Sequence, residues 1–187
     1  AVLCIEDPLR EEAREIVAAL KETGIRKVVM MTGDSERTAA AIAKRVGVDE
    51  YYSEVLPEDK ASFVEKEKEL GHKVIMIGDG INDSLALSSA SVGIAISDGA
   101  AIAREIADVT ISADNLHEIV TLKRLSTALM KRIHNNYRTI IGINGGLIAL
   151  GVTGIIMPTT SALLHNMSTL TISLRSMRNL LPKEEEA

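Results

Sequence analysis

Two aspartates flank one short turn in the stretch "VIMIGDGINDSLAL" (residues 74–87), where an apolar run ends at Gly78, Asp79 and Gly80 and is followed by Asn82 and Asp83. Glycine lets the backbone approach a ligand, and two carboxylates across a tight turn can converge on a hard cation such as magnesium. Magnesium in turn implies phosphate. The plainer reading is that Asn82 or Asp83 caps the next helix, which leaves Asp79 at an apolar strand end without a purpose. Thr32, Gly33, Asp34 and Ser35 follow the apolar "VVMM" and open a helix. A hydroxyl, a flexible residue and free helical N–H groups form a ready anion site, although a strand, a turn and an N-cap account for the same residues. Lys60 falls in the first turn after Pro57, where the helix dipole disfavours a cation unless a phosphoryl group reverses the sign. A solvated surface lysine is the alternative. Far along the chain, His165 has Ser161 four residues before it and Ser168 and Thr169 three and four after, a polar stripe on one helical face. Neutral imidazole suits zinc, copper, nickel or cobalt. Asn144 and Asn166 would add oxygen ligands or interhelical hydrogen bonds, and for Asn144 and Ser161 a packed polar stripe is the preferred reading.

The elements that must position these residues alternate. Strand-length apolar runs recur at "VLCI", "VVMM", "VIMI", "VGIAI" and "VTI". Between them, helical spacing covers residues 9–22, 36–46, 58–70, 83–90, 99–106 and a long segment from about 114. Short all-apolar strands alternating with helices predict a doubly wound α/β domain with a parallel sheet covered on both faces. Gly24 and Gly47 stand where left-handed helix caps are expected, and Pro57 where a first turn accepts proline. Ligands in such sheets bind beyond the carboxyl ends of the strands, which singles out the loops 32–35 and 78–83.

Charge divides the chain in two. Residues 1–136 carry 23 Asp plus Glu against 17 Lys plus Arg, whereas Thr139–Leu174 contain none of the four. The mildly acidic part has no basic stripe, which argues against a nucleic-acid partner. Cys4 is the single cysteine, so an internal disulfide and a Cys-x-x-Cys metal site are excluded, and a reducing cytosol fits the thiol. The uncharged run is long enough for nearly two crossings of a hydrocarbon core of about 30 Å, with Pro158 near its middle. It predicts a transmembrane helical hairpin, in which Gly142, Gly145, Gly146, Gly151 and Gly154 suit close packing. A buried hairpin of a soluble protein is the alternative. Lys131, Arg132 and Arg138 before it, and Arg175, Arg178 and Lys183 after it, place both ends in the cytosol by the positive-inside rule. The sequence starts at Ala1 as if a strand were already under way, which suggests a fragment.

"MTGD", "PEDK" and "GDGINDSLAL", in that order, resemble the second half of the phosphorylation domain of P-type ATPases, which has a haloacid dehalogenase-like fold. "SVGIAISDGAAIAREIADVTI" continues the resemblance. It implies that Asp79 ligates magnesium and Asp83 completes that site, that Lys60 neutralises phosphoryl oxygens, and that Thr32 and Gly33 hold them. Asp34, Gly78 and Asn82 belong to the same cofactor-binding surface for magnesium and ATP. The family forms an aspartyl-phosphate, a covalent intermediate, at an Asp-Lys-Thr-Gly-Thr motif that does not occur here. "CIEDPLR" looks like the segment that follows the nucleotide-binding domain, with Asp7 a scaffold acid and Arg10 a helix-start residue.

"HNMST" (165–169) resembles the His-Glu-Gly-x-Thr motif in the last membrane helix of the heavy-metal subgroup, departing from it at Asn166 and Met167. His165, Ser168 and Thr169 would then contact a transported ion such as zinc, cadmium, cobalt or copper. The resemblance implies part of a heavy-metal pump of the plasma membrane, with the α/β domain and C-terminus cytosolic and membrane lipid and the rest of the pump as partners. The expected division is 1–136 for the end of the phosphorylation domain with its connecting helix, 137–178 for two transmembrane helices and 179–187 for a tail. Alone, such a chain is not expected to turn over ATP. The alternatives are a membrane-anchored dehalogenase-like phosphatase, which lacks its Asp-x-Asp strand end here, and a non-catalytic regulatory half-domain.

Overall fold

The computed structural model describes residues 12–79, 82–96, 105–112 and 115–181. The expected strand at residues 2–5, Cys4, Asp7, Arg10, Gly80, Lys183 and most of the helix expected at 99–106 lie outside them. The chain forms two compact units, Ala1–Val120 and Thr121–Ala187.

The first unit alternates helix and strand: α1 (Ala13–Glu22), β1 (Val29–Met31), α2 (Glu36–Val46), β2 (Glu50–Tyr52), α3 (Pro57–Glu69), β3 (Ile75–Gly78), α4 (Ser84–Ser89), β4 (Val92–Ile96) and β5 (Val109–Ile111). All pairing is parallel, as the all-apolar strands require. β1 pairs β2, with Val29 opposite Glu50, and the order β3-β4-β5 forms a second ladder, with Met76 opposite Gly93 and Ile94 opposite Val109. The single sheet expected from the sequence therefore appears, among the described residues, as two ladders of two and three strands.

Each helix buries one stripe. Ile16 and Leu20 of α1, Ala39, Ala43 and Val46 of α2, and Ala61 and Val64 of α3 recur at spacings of three and four, so each set lines one face. Ala61, Val64 and Ala86 form a core cluster, with Val74, Met76 and Ala90 packed against it. This cluster joins α3 to α4, the two helices whose N-terminal ends carry Lys60 and Asp83. Ile94 and Ala95 are buried on β4, between its two ladder partners. Gly47 ends α2 in the left-handed conformation at φ +80°, as its position after the helical run predicts. The Lys21 ammonium donates to the Gly47 carbonyl (3.0 Å) and to Asp49 Oδ1 (2.7 Å), while Asp49 Oδ2 accepts the Val28 amide (2.8 Å). One carboxylate thus ties α1 to the segments that open β1 and β2.

β2 is absent from the sequence expectation. Its residues Glu50, Tyr51 and Tyr52 are all exposed and include no apolar run, so the strand is defined by its ladder rather than by burial.

The second unit is a helical hairpin. α5 runs His117–Val152, its first residues counted with the α/β unit, and α6 runs Pro158–Ser176. Gly154, at φ +72°, turns the chain between them, and Pro158 starts α6. Two antiparallel helices therefore form a hairpin, which does not by itself establish the membrane crossing expected from the sequence. No helix among the described residues is long and apolar enough by itself to cross a membrane. In α5 the uncharged part is only residues 139–152, after Lys131, Arg132 and Arg138, and in α6 His165, Asn166 and the hydroxyl residues lower the apolarity. Among the described residues, Arg132, Asn136 and His165 make polar contacts that lace the hairpin. Arg132 donates to the Ser176 carbonyl (2.9 Å), the Arg178 carbonyl and the Asn179 carbonyl (2.9 Å). Asn136 donates to Ser176 Oγ at 2.7 Å, and His165 Nδ1 lies 2.8 Å from Asn144 Oδ1.

Candidate functional site

The carboxyl ends of β1 and β3 deliver the residues singled out in the sequence. β3 ends on Gly78, and Asp79 follows it, exposed. Asp83 occupies the N-cap position of α4, yet its side chain makes no capping hydrogen bond. It is 9% exposed and pairs instead with Lys60, whose Nζ lies 2.7 Å from Asp83 Oδ1. The plain capping role weighed from sequence therefore does not describe this side chain. The two partners are 15% and 12% exposed as side chains, which makes this the most enclosed of the Lys–Asp and Lys–Glu pairs found among the described residues. A carboxylate so enclosed needs a cation, because leaving it uncompensated costs far more than leaving a surface charge unpaired.

Lys60 reaches this position from the first turn of α3. Pro57 opens that helix, the Asp59 carboxylate accepts the Leu56 amide at 3.2 Å, and the Lys60 amide donates back to the Leu56 carbonyl at 3.2 Å. From sequence alone, only a phosphoryl group would offset the unfavourable helix dipole at Lys60. The structure adds Asp83 as a resident counter-charge. Spacing could not reveal it, because Lys60 and Asp83 lie on separate elements.

At the end of β1 the Thr32 amide donates to the Tyr52 carbonyl (3.0 Å) and the Val55 amide to the Thr32 carbonyl (3.0 Å), which pins the strand end on both sides. The Thr32 hydroxyl donates to Asp34 Oδ2 (2.8 Å) and accepts the Asp34 amide (3.1 Å). Gly33, Asp34 and Ser35 are exposed, and Ser35 occupies the N-cap of α2 without a side-chain cap bond. The loop therefore presents backbone N–H groups and the Thr32 and Ser35 hydroxyls, with the Asp34 carboxylate folded onto that of Thr32. Glu36, next in the chain, is turned toward β2: Tyr51 Oη donates to it at 2.7 Å and Ser53 Oγ at 2.6 Å. The Ser53 and Tyr51 hydrogen bonds hold the Glu36 carboxyl below its ordinary range, and Glu36 in turn pushes the Tyr51 phenol up.

Asp79, Asp83, Lys60, Gly78 and the exposed Asn82 belong to one α/β unit. Among the described residues no three His, Cys, Asp or Glu gather into a metal-holding cluster. Two carboxylates are nonetheless the donor set that suits magnesium, which keeps several waters and takes its remaining oxygens from phosphate.

In the hairpin, His165 is exposed and pairs with Asn144, the residue for which an interhelical role was preferred. An amide oxygen accepts, so an imidazole that donates to it from Nδ1 keeps Nε2 for other contacts. Ser168 Oγ (2.8 Å) and Thr169 Oγ1 (3.0 Å) both donate back to the His165 carbonyl. Their protons are used within the helix, and their oxygens keep free lone pairs.

Similarity to known proteins agrees with this geometry. The family model described as haloacid dehalogenase-like hydrolase matches residues 1–91. The chain is 36% identical over 178 residues to the zinc-exporting P-type ATPase of Mycobacterium marinum, a match covering 95% of this chain and 24% of that protein. It is 37% identical over 177 residues to the copper-exporting P-type ATPase of Bacillus subtilis, covering 95% and 22%. Among solved structures, a zinc-transporting PIB-type ATPase in its E2.Pi state superposes with a TM-score of 0.85 at 32% identity, over 95% of this chain and 29% of that one. Over 95% of its length the chain is similar to part of heavy-metal P-type ATPases, and its first 91 residues match the haloacid dehalogenase-like model. It spans about a quarter of the length of the curated relatives it matches.

Proposed function

We propose that this chain supplies the magnesium- and phosphate-handling half of the phosphorylation site of an ATP-driven heavy-metal cation pump, together with its last two membrane helices. The observation that carries the reading is the enclosed Lys60–Asp83 pair at the carboxyl end of β3, in the segment of sequence shared with such pumps.

In this reading Asp79 and Asp83 hold magnesium, which when bound supplies positive charge to the phosphoryl oxygens of ATP and of the aspartyl-phosphate. Lys60 keeps Asp83 compensated before a ligand arrives, and its ammonium has further donors to offer phosphoryl oxygens. Thr32, once its hydroxyl turns from Asp34, and the Gly33 backbone hold the same oxygens. Gly78 leaves room for Asp83, and Asp34 and Asn82 border the site. Positioning with charge neutralisation is what phosphoryl transfer asks of a protein. No Asp-Lys-Thr-Gly-Thr motif occurs within these 187 residues, so the nucleophilic aspartate and nucleotide binding fall to the rest of the pump.

The hairpin supports a place in the plasma membrane, with the α/β domain (1–136) and the tail (179–187) cytosolic and helices within 137–178 embedded. Ile148, Val152, Ile155, Met157 and Leu163 are all largely exposed, Val152 at 84%, and large apolar residues left exposed in this number fit contact with lipid or neighbouring helices. Arg132, Arg175 and Arg178 cluster at the end opposite the turn, as the positive-inside rule asks of a cytosolic end. Packing against the pump's other helices would offset the modest apolarity of α5 and α6. His165, through Nε2, with Ser168 and Thr169 oxygens, would face a transported ion. Zinc, copper, cobalt and cadmium all accept imidazole, and relatives named for zinc and for copper match the chain about equally well.

The test is phosphoenzyme formation from labelled ATP in the full-length pump containing this segment. Asp79→Ala and Asp83→Ala should each abolish magnesium-dependent labelling, and near-normal labelling would remove the assignment. In the same preparation His165→Ala should lower metal-stimulated ATP hydrolysis. Unchanged stimulation by zinc, copper, cobalt and cadmium would return His165 to a packing role.

A further inference from the structure

Two strands meet the Asp83 region with no side chain of their own at the point of contact. On β3, a Cβ placed on Gly78 would lie 2.4 Å from Asp83 Oδ2 and 2.7 Å from Asp83 Cβ. On β4, a Cβ placed on Gly93 would lie 2.6 Å from the Leu87 carbonyl oxygen and 3.1 Å from its carbon. Neither position admits a larger residue unless something moves, because packed interiors transmit such overlaps rather than absorb them. What would move differs. At Gly78 it is a carboxylate that can rotate, whereas at Gly93 it is the backbone of α4.

Leu87 connects Gly93 to Asp83. Its amide donates to the Asp83 carbonyl at 2.8 Å, the bond that closes the first turn of α4, and its side chain is 1% exposed. The Leu87 peptide is therefore held by Asp83 on one side and rests on Gly93 on the other. Gly93 is itself fixed, since its amide donates to Asp108 Oδ2 at 2.8 Å and its strand pairs Met76 of β3. Contacts run without a gap from Asp108 through Gly93, Leu87 and Asp83 to Lys60.

We propose that Gly93 is a positioning residue for the magnesium site. Its bare backbone lets α4 seat directly on β4, and that seat sets where Asp83 stands against Gly78 and meets Lys60. The proposal rests on the assignment of Asp83 as a magnesium ligand. It gives the site a component on a strand that the Gly-Asp-Gly turn does not include.

Titration of the 187-residue chain in detergent micelles with Mg2+ alone, followed by the NMR shifts of the Gly78 and Asp79 amides, tests it. Asp83→Asn should abolish the saturable response, and an unchanged response there removes the site assignment and the proposal together. Gly93→Ala should weaken Mg2+ binding by about tenfold or more, the range for residues that orient metal ligands. Leu87→Ala keeps its carbonyl on Gly93 while opening a cavity, so it should lower the melting temperature further than Gly93→Ala does and yet keep its Mg2+ affinity within about twofold. Wild-type affinity in Gly93→Ala, or an affinity loss that follows melting temperature across both variants, overturns the proposal. Where Gly93→Ala does not fold, Asp108→Asn decides, because it weakens only the acceptor that holds the Gly93 amide. A severalfold loss of Mg2+ affinity supports the seat, and an unchanged affinity overturns it.

Discussion

The α/β unit and the helical hairpin distribute their side chains in opposite senses. In the first, small and branched apolar residues are buried, and an ion pair sits enclosed among them; in the second, large apolar residues face outward and the polar groups bond between helices. The α/β unit keeps its apolar residues inside. In the proposed membrane-embedded pump, such a hairpin would rely on interhelical hydrogen bonds and small residues in place of a hydrophobic core.

Truncating apolar side chains in the two regions should give the largest divergence. Ile94→Ala, at 2% exposure on β4, should cost the α/β unit about 2–5 kcal/mol, as buried Ile→Ala changes do. Leu163→Ala, at 63% exposure on α6, should stay within about 0.5 kcal/mol for the chain in micelles. Denaturant unfolding followed separately in each unit checks both. A loss of more than about 1 kcal/mol at Leu163 would show a core inside the hairpin and erase the contrast.

The next effect concerns the enclosed pair. Lys60→Met leaves Asp83 without its counter-charge and should cost about 2 kcal/mol, in the range for hydrogen bonds to charged groups. Pairing Lys60→Met with Asp83→Asn should recover part of that loss, with a coupling of about 1 kcal/mol in a double-mutant cycle. Strict additivity would mean that the two groups do not act as a unit. Arg132→Ala in the hairpin should cost less, about 1 kcal/mol, read as faster amide exchange at the end of α6. No change there would leave Asn136 and Asn144 as the bonds that matter.

Much of this was legible in the sequence, and the exceptions have physical causes. α2, β4 and β5 fall on the residues that periodicity marked, and α3 is displaced by one residue, because each buries a regular apolar stripe or run. β2 was missed because Glu50, Tyr51 and Tyr52 form an exposed strand whose evidence is a backbone ladder. The carboxylates and glycines of the turn at 78–83 were singled out by type, yet the Lys60–Asp83 pairing was not legible, since it depends on α3 packing against α4. Gly93 was invisible as a site residue for the same reason: its contact with Leu87 exists only after β4 and α4 are stacked. Asn144 fared better, because an uncharged helical stretch leaves few polar partners for His165.

The smallest effect should come from the exposed carboxylate at Asp49, and its sign follows from its partners. The Lys21 hydrogen bond, followed by the Val28 amide, holds the Asp49 carboxyl below its ordinary value in the folded chain. A depressed carboxyl contributes stability that is fully present above its unfolded value of 3.8 and disappears as pH falls through the lower folded value. Asp49→Asn should therefore narrow the gap between stability at neutral pH and stability at about pH 3 without moving the Mg2+ response of Asp79 and Asp83. Glu36 is depressed by Ser53 and Tyr51 and acts in the same direction, so an acid-sensitive part should persist in the variant. Denaturant midpoints across that pH range separate the two carboxyls. An Asp49→Asn chain that loses as much stability in acid as the wild type would show that the Lys21 contact, however short, is balanced by solvent, as exposed ion pairs commonly are.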